Sequence, residues 1–166
     1  MFRGAFLSDK TTAIAIHEAF LKKSGDALFS GDFDAFLSCF FLPQQIVTFE
    51  GSRWLLEPSD VRDVFDNMRQ RFDDLGITDM ARRCVVAEFS GPTTIDATHE
   101  TRMLVKDQIV SGPYPSFSIL QEINGNWQVS HSQYAIGDEN GHSAALLGAG
   151  SKEPFEIKEP VLMKEA

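Results

Sequence analysis

The sequence predicts an α+β domain with N-terminal helices packed in the concave face of a curved, mainly antiparallel sheet. Three observations carry this reading. Apolar residues recur at spacings of three and four up to Gly76, the helical period, whereas from Ala81 onward the period is two, that of half-buried strands. Short breaks containing Gly, Pro or Asn separate the period-two runs, which makes consecutive antiparallel pairing the economical arrangement. The 166 residues, 43% hydrophobic and 23% charged, match one globular domain and exclude a disordered, collagen-like or coiled-coil chain. Such a chain buries about 70% of its extended-state surface, so its core needs neither a disulfide nor a structural metal.

The first helix is predicted from about Thr12 to Ser30, where Ile14, His17, Leu21, Ser24 and Leu28 form one stripe and place His17 inward. Gly31 breaks it, and Asp32 is the N-cap of a shorter helix carrying Phe36, Leu37 and Phe40, which Pro43 ends. Gln45–Glu50 and Arg53–Leu56 read as two short strands around a turn at Gly51-Ser52. Pro58 suits the first turn of a third helix, whose core stripe is Val61, Val64, Phe65, Met68, Phe72 and Leu75, and Gly76 stops it. Strands follow at about Arg82–Phe89, Thr94–Val105, Tyr114–Ile123 and Trp127–Ile136, separated by Gly91-Pro92, Ser111-Gly112-Pro113 and Asn124-Gly125-Asn126.

These elements assign residues 1–136 to one domain and 137–166 to a C-terminal extension. The extension opens on Gly137, Gly141, Gly148 and Gly150 and ends in alternating charged and apolar residues around Phe155, Ile157 and Val161. Two readings stand, a loosely ordered tail or an arm that packs on a partner subunit.

Charge and cysteine usage narrow the function classes. With 24 acidic against 15 basic residues the net charge is −9, and phosphate recognition needs clustered Lys and Arg, so no nucleic-acid partner is expected. The densest basic group, Arg69, Arg71, Arg82 and Arg83, is interrupted by Asp73, Asp74 and Asp79 and reads as a solvated face. Cys39 and Cys84 lie in Phe-rich and Val-rich stretches, where a thiol behaves as a small hydrophobe, and no disulfide is expected. The opening segment reaches Ser8 and Asp9 before an apolar stretch of signal-peptide length develops, and no later run is long enough to span a bilayer. A cytoplasmic protein without membrane contact is the expectation.

The break Gly31-Asp32-Phe33-Asp34-Ala35 and the last strand, Trp127-Gln128-Val129-Ser130-His131-Ser132-Gln133, carry a resemblance over about Thr12–Ile136. In element order and in these two segments the chain resembles the nuclear-transport-factor-2-like superfamily, including the SnoaL-like cyclases and ketosteroid isomerases. The resemblance implies a cone, in which curved sheet and helices enclose a mostly apolar cavity, and a homodimer formed through the outer sheet face. It does not carry over the isomerase chemistry. Aligned on Gly31–Ala35, the family's tyrosine and aspartate positions fall near Ser24 and Thr48, which can neither donate like a phenol nor abstract a proton from carbon. Glu50, on the same face as Thr48, is a conceivable shifted base.

Two histidines are the candidate catalytic residues. On the fourth predicted strand Ile95, Ala97, His99, Thr101 and Met103 share the apolar face; on the last, Trp127, Val129, His131, Gln133 and Ala135 share one. With the family's strand order, one strand separates His99 from His131, about 10 Å between backbones, and one small ligand reaches both. Imidazole serves as acid or base near neutral pH, and the competing reading for each is a hydrogen-bonded structural histidine. His17, Phe49, Trp54, Met103, Tyr114, Phe117 and Gln133 are candidate ligand-binding residues, although aromatics on half-buried strands are also plain core.

No metal is expected, because His17, His99, His131 and His142 lack ligand spacing, and no cofactor is needed. Gly148-Ala149-Gly150 follows no strand, so it is not a phosphate loop, and Asp138–Gly141 lacks the later Glu of a calcium loop and reads as a turn. Two functions remain: a protein that binds a small apolar or aromatic molecule, as an isomerase, cyclase or lyase, and a non-catalytic dimeric interaction module.

Overall fold

A computed structural model describes residues 2–137 and 141–148. Helix α1 spans Phe2–Ser30, starting ahead of the expected Thr12, since no proline precedes Pro43 to stop it. Its inward row is Ala13, His17, Leu21, Ser24 and Leu28, with Ala13 in the place predicted for Ile14, which is exposed. Asp32 caps α2 (Phe33–Leu37) by accepting from the Ala35 amide at 3.1 Å.

Phe40 and Pro43 belong to strand β1 (Phe40–Thr48) and not to α2. Pro43 is tolerated there because the pairing of β1 with the last strand shifts register between Phe40 and Gln45, where no ladder bond is required of it. The hairpin to β2 (Gly51–Leu55) turns at Phe49-Glu50, two residues before the expected Gly51-Ser52, because the Thr48 hydroxyl accepts from the Glu50 amide at 3.0 Å and closes a local turn. Helix α3 (Pro58–Leu75) starts in a Glu57/Asp60 capping box and ends on left-handed Gly76, and Val61, Val64, Phe65, Met68 and Phe72 are buried.

Strands β3 (Asp79–Gly91), β4 (Thr94–Val105), β5 (Gln108–Ile123) and β6 (Asn126–Tyr134) form the meander. The turn between β4 and β5 is Lys106-Asp107, so the expected break at Ser111-Gly112-Pro113 lies inside β5. There the register shifts between Thr101 and Met103, and Gly112 has φ +91°; a Cβ at that position would run into the Thr101 carbonyl. The sheet order is β2-β1-β6-β5-β4-β3, antiparallel throughout except for the parallel β1/β6 pair.

Helix α1 packs across edge strand β3, where the Glu18 carboxylate accepts from the Cys84 amide at 2.9 Å. The larger apolar cluster joins α1, α2 and α3 to the sheet, and the smaller one gathers Ala13, Ala87, Ile95, Ala97, Leu120 and Val129.

Part of the predicted extension is core. Helix α4 (His142–Leu147) places Ala145, Leu146 and Leu147 in the larger cluster. It is tied down by a 2.7 Å hydrogen bond between the Thr48 and Ser143 hydroxyls, and by Asn67 and Arg53 donating to the Ala145 and Leu146 carbonyls. Burial of Ala145, Leu146 and Leu147 overrides the glycine-rich composition that suggested a loose tail. The predicted turn at Asp138–Gly141, except for Gly141 itself, and the Gly150, Phe155, Ile157 and Val161 stretch, lie outside the described residues. No helix among the described residues is long and apolar enough to cross a membrane.

Candidate functional site

Strand alternation along β4 turns Ile95, Ala97, His99, Thr101 and Met103 inward, and all five are buried. With α1, α2, α3 and α4 the inner sheet face encloses a cavity of ≈ 90 Å³. By that measure one water takes about 10–15 Å³, so the cavity holds several waters or a small organic molecule. Of the candidate residues, His99, Met103 and Tyr114 line it. His17 is wholly buried just behind, its ring centroid 5.6 Å from that of His99.

The other candidates face away. Between β5 and β6 the register jumps from Ile119↔His131 to Leu120↔Val129, leaving Ser130 as an extra residue. That bulge shifts the alternation by one, so Val129, Ser132 and Tyr134 point inward while His131 and Gln133 point outward. His131 therefore does not share a cavity with His99. It lies edge-on to Phe117 at 6.4 Å on the outer face, with Gln133 Oε1 3.3 Å from its Nε2. The early hairpin turn has the same consequence for the predicted aromatic walls. Trp54 pairs with Gln45 on the outer face and is 55% exposed, while its neighbour Leu55 is buried inside. Phe49 sits at the hairpin tip, 72% exposed, and Glu50 beside it is exposed too, which removes the shifted base.

The cavity also holds groups the sequence reading left out. Arg82, assigned to a solvated face, points inward with Met80 and Cys84 along β3, an alternation visible in the sequence once β3 is paired. Its Nη2 donates to the Leu21 carbonyl and, at 2.9 Å, to the Ser24 hydroxyl on α1. Gly25 makes room for this: a Cβ there would stand 3.0 Å from Nη2. Gln44 donates to the Ser132 hydroxyl at 2.9 Å, and Tyr134 and Tyr114 are in hydrogen-bonding reach of Ser132 and Thr101. Ser24 and Thr48 are thus occupied, one on Arg82 and one on Ser143.

Burial sets the protonation states. Desolvation, and then the positive charge of Arg82, lowers His99 to about 3 and His17 to about 4, so both imidazoles are neutral near pH 7. Desolvation raises Tyr114 and Tyr134, which remain protonated donors, and raises the Cys39 thiol. Both ring nitrogens of His99, both of His17, the Gln44 carbonyl oxygen and the Ser116 hydroxyl have no hydrogen-bond partner among the described residues. Among the described residues no three His, Cys, Asp or Glu side chains converge to hold a metal. Chemically the arrangement is a largely apolar chamber whose walls, among the described residues, carry the Arg82 cation, two phenols, the neutral His99 imidazole, a second imidazole at His142, and hydroxyl and amide groups.

No protein-family model matches the chain, and no curated protein matches it. Solved structures do. A protein of unknown function from Mycobacterium tuberculosis superposes with a TM-score of 0.64 at 9% identity, over 90% of this chain and 96% of that one. An NTF-2 like protein of unknown function from Shewanella oneidensis gives 0.59 at 9% identity, over 74% and 98%. A cystatin-like domain of unknown function from Nostoc punctiforme gives 0.55 at 17% identity, over 77% and 76%. These likenesses concern fold, not activity. With the six-stranded, mostly antiparallel sheet wrapped on its helices, they show that the chain has the nuclear-transport-factor-2-like, cystatin-like cone fold.

Proposed function

We propose that this protein binds a small, largely apolar molecule in the cone, with His99 as the imidazole that meets it, in an isomerase, lyase or cyclase reaction. The observation that supports this is the state of His99. A core histidine kept for structure is hydrogen-bonded, whereas His99 lines the cavity with both nitrogens unpartnered among the described residues. Leaving such groups buried and unpaired costs about 1–3 kcal/mol each, a cost that a ligand or water in the cavity recovers. A neutral imidazole offers one donor and one acceptor, so it can take a proton from one atom and return one to another. Phe36, Phe40, Ile46, Met68 and Leu146 supply the apolar burial that holds the rest of the molecule.

The test is a small-molecule screen followed by the methyl signals of ¹³C-labelled methionine, because Met68, Met80 and Met103 all line the cavity. Saturable shifts of these methyls, weakened in His99→Gln with the fold retained, support the reading. Methyls that no small molecule moves overturn it.

The outer face favours a second reading, a homodimeric interaction module. Val47, Gln133, Phe117, Thr98 and Val86 run in one row across five strands, and the outer surface also exposes Val85 and Trp54. Sedimentation at micromolar concentration tests it: a dimer that Phe117→Asp dissociates supports it, and a wild-type monomer ends it.

A further inference from the structure

We propose that the cavity's ligand is a short-chain aliphatic monocarboxylate, its carboxylate held by Arg82 and its hydrocarbon tail by the apolar wall. This rests on the reading of the cone as a ligand site and names the chemical class that the site selects.

The argument begins with an inventory of donors. A guanidinium carries five N–H groups in a planar fork. The Arg82 Nη2 contacts go to Leu21 and Ser24, while Nη1 and Nε make no hydrogen bond among the described residues. Nor does Arg82 form an ion pair there, although Arg53, Arg62, Arg71, Arg83 and Arg102 each do. Glu18, Asp26 and Asp79 line, with Arg82 itself, a polar cleft of ≈ 300 Å³, and Asp26 acts on the guanidinium only through space, beyond ion-pair distance. A cation taken from water without a counter-charge is unfavourable, and a carboxylate matches the free edge of the fork with two parallel hydrogen bonds.

The surroundings fit one negative charge and little more. Among the described residues Arg82 is the only Lys or Arg lining the cavity, so a dianion such as phosphate would be left half-neutralised. Tyr114 and Tyr134, next to the guanidinium charge, are protonated donors available to a carboxylate oxygen. Beyond this polar end Ile46, Phe36, Val64 and Met103 form an apolar wall for the hydrocarbon tail. Size completes the description. A cavity of about 150 Å³ accommodates the six heavy atoms of benzene, so ≈ 90 Å³ suits about four, a carboxylate with a tail of one or two carbons.

The experiment titrates the ¹³C-methionine-labelled protein with propionate, its near-isosteric amide propionamide, inorganic phosphate and xenon. Expected are saturable shifts of the Met80 and Met103 methyls with propionate, at least tenfold weaker binding of propionamide, and loss of that preference in Arg82→Gln. Because Arg82 also ties β3 to α1, the acid–amide comparison on the wild-type protein stands whether or not the variant folds. Equal affinity for propionate and propionamide overturns the carboxylate assignment and leaves the cavity intact as a ligand site. Phosphate that displaces propionate at equal concentration overturns the monoanion. Methyls that respond to none of the four, xenon included, overturn the cavity reading itself.

Discussion

Acidification from pH 8 to pH 5 is expected to destabilise this protein steeply, and two buried rings account for it. His17 is 0% and His99 3% exposed, and burial holds them neutral down to about pH 4 and about pH 3, against an ordinary value of 6.5 once unfolded. Below pH 6.5 the unfolded chain takes up two protons that the folded chain refuses, so stability is whole above 6.5 and is lost as pH falls toward the folded values. At pH 5 each unfolded imidazole is almost fully charged and each folded one almost fully neutral. Each then contributes a loss of about 2 kcal/mol relative to pH 8, about 4 kcal/mol for the pair. That is a large part of a domain's usual 5–15 kcal/mol. Both rings remain neutral in the folded state at pH 5, so they do not repel one another and the two losses add. Urea unfolding at pH 8 and pH 5 measures the difference. His17→Gln and His99→Gln should each shrink the acid-induced loss by about 2 kcal/mol, and the double variant by about 4, while the carboxylate background is common to all. A wild-type protein whose pH dependence is unchanged in both single variants would refute the reasoning, because the rings would then be solvated or hydrogen-bonded in the folded state.

The remaining predictions concern the cavity and its closure. Propionate binding should raise the titration midpoint of His99 from about 3, since it neutralises Arg82, the second cause of the depression; long-range ¹H–¹⁵N spectra of the imidazole would show it. Leu146→Ala removes a buried side chain of α4 from the core and the cavity wall, and should cost about 2–5 kcal/mol in chemical denaturation, whereas a loosely attached segment would cost almost nothing. Gly112→Ala puts a Cβ against the Thr101 carbonyl at positive φ and should destabilise by about 1–3 kcal/mol in the same assay. His131→Ala, on the outer face, should leave ligand-induced methionine shifts unaltered, and a loss of those shifts would contradict the inward phase of Ser132 and Tyr134.

What the sequence by itself determined is what short-range physics governs. The period of apolar residues marked α3 and its buried stripe. The Asp32 cap and Gly76 stop set two helix boundaries, and alternation placed His99, Thr101 and Met103 on the inner face of β4, an unbroken stretch along which a period of two cannot slip. The tertiary structure decided the rest, and for a common reason: one inserted or displaced residue reverses the facing of everything after it. The extra Ser130 sent His131 outward and brought Ser132 and Tyr134 in, and the Thr48–Glu50 turn contact moved the hairpin by two residues and exposed Phe49 and Trp54. Neither leaves a mark in composition, because a bulge is stabilised by pairing with strands far along the chain. Arg82 shows the same in electrostatic form. Among the arginines of its neighbourhood it reads as surface charge, and only the packing of α1 across β3 turns it into a cation on the wall of a largely apolar chamber.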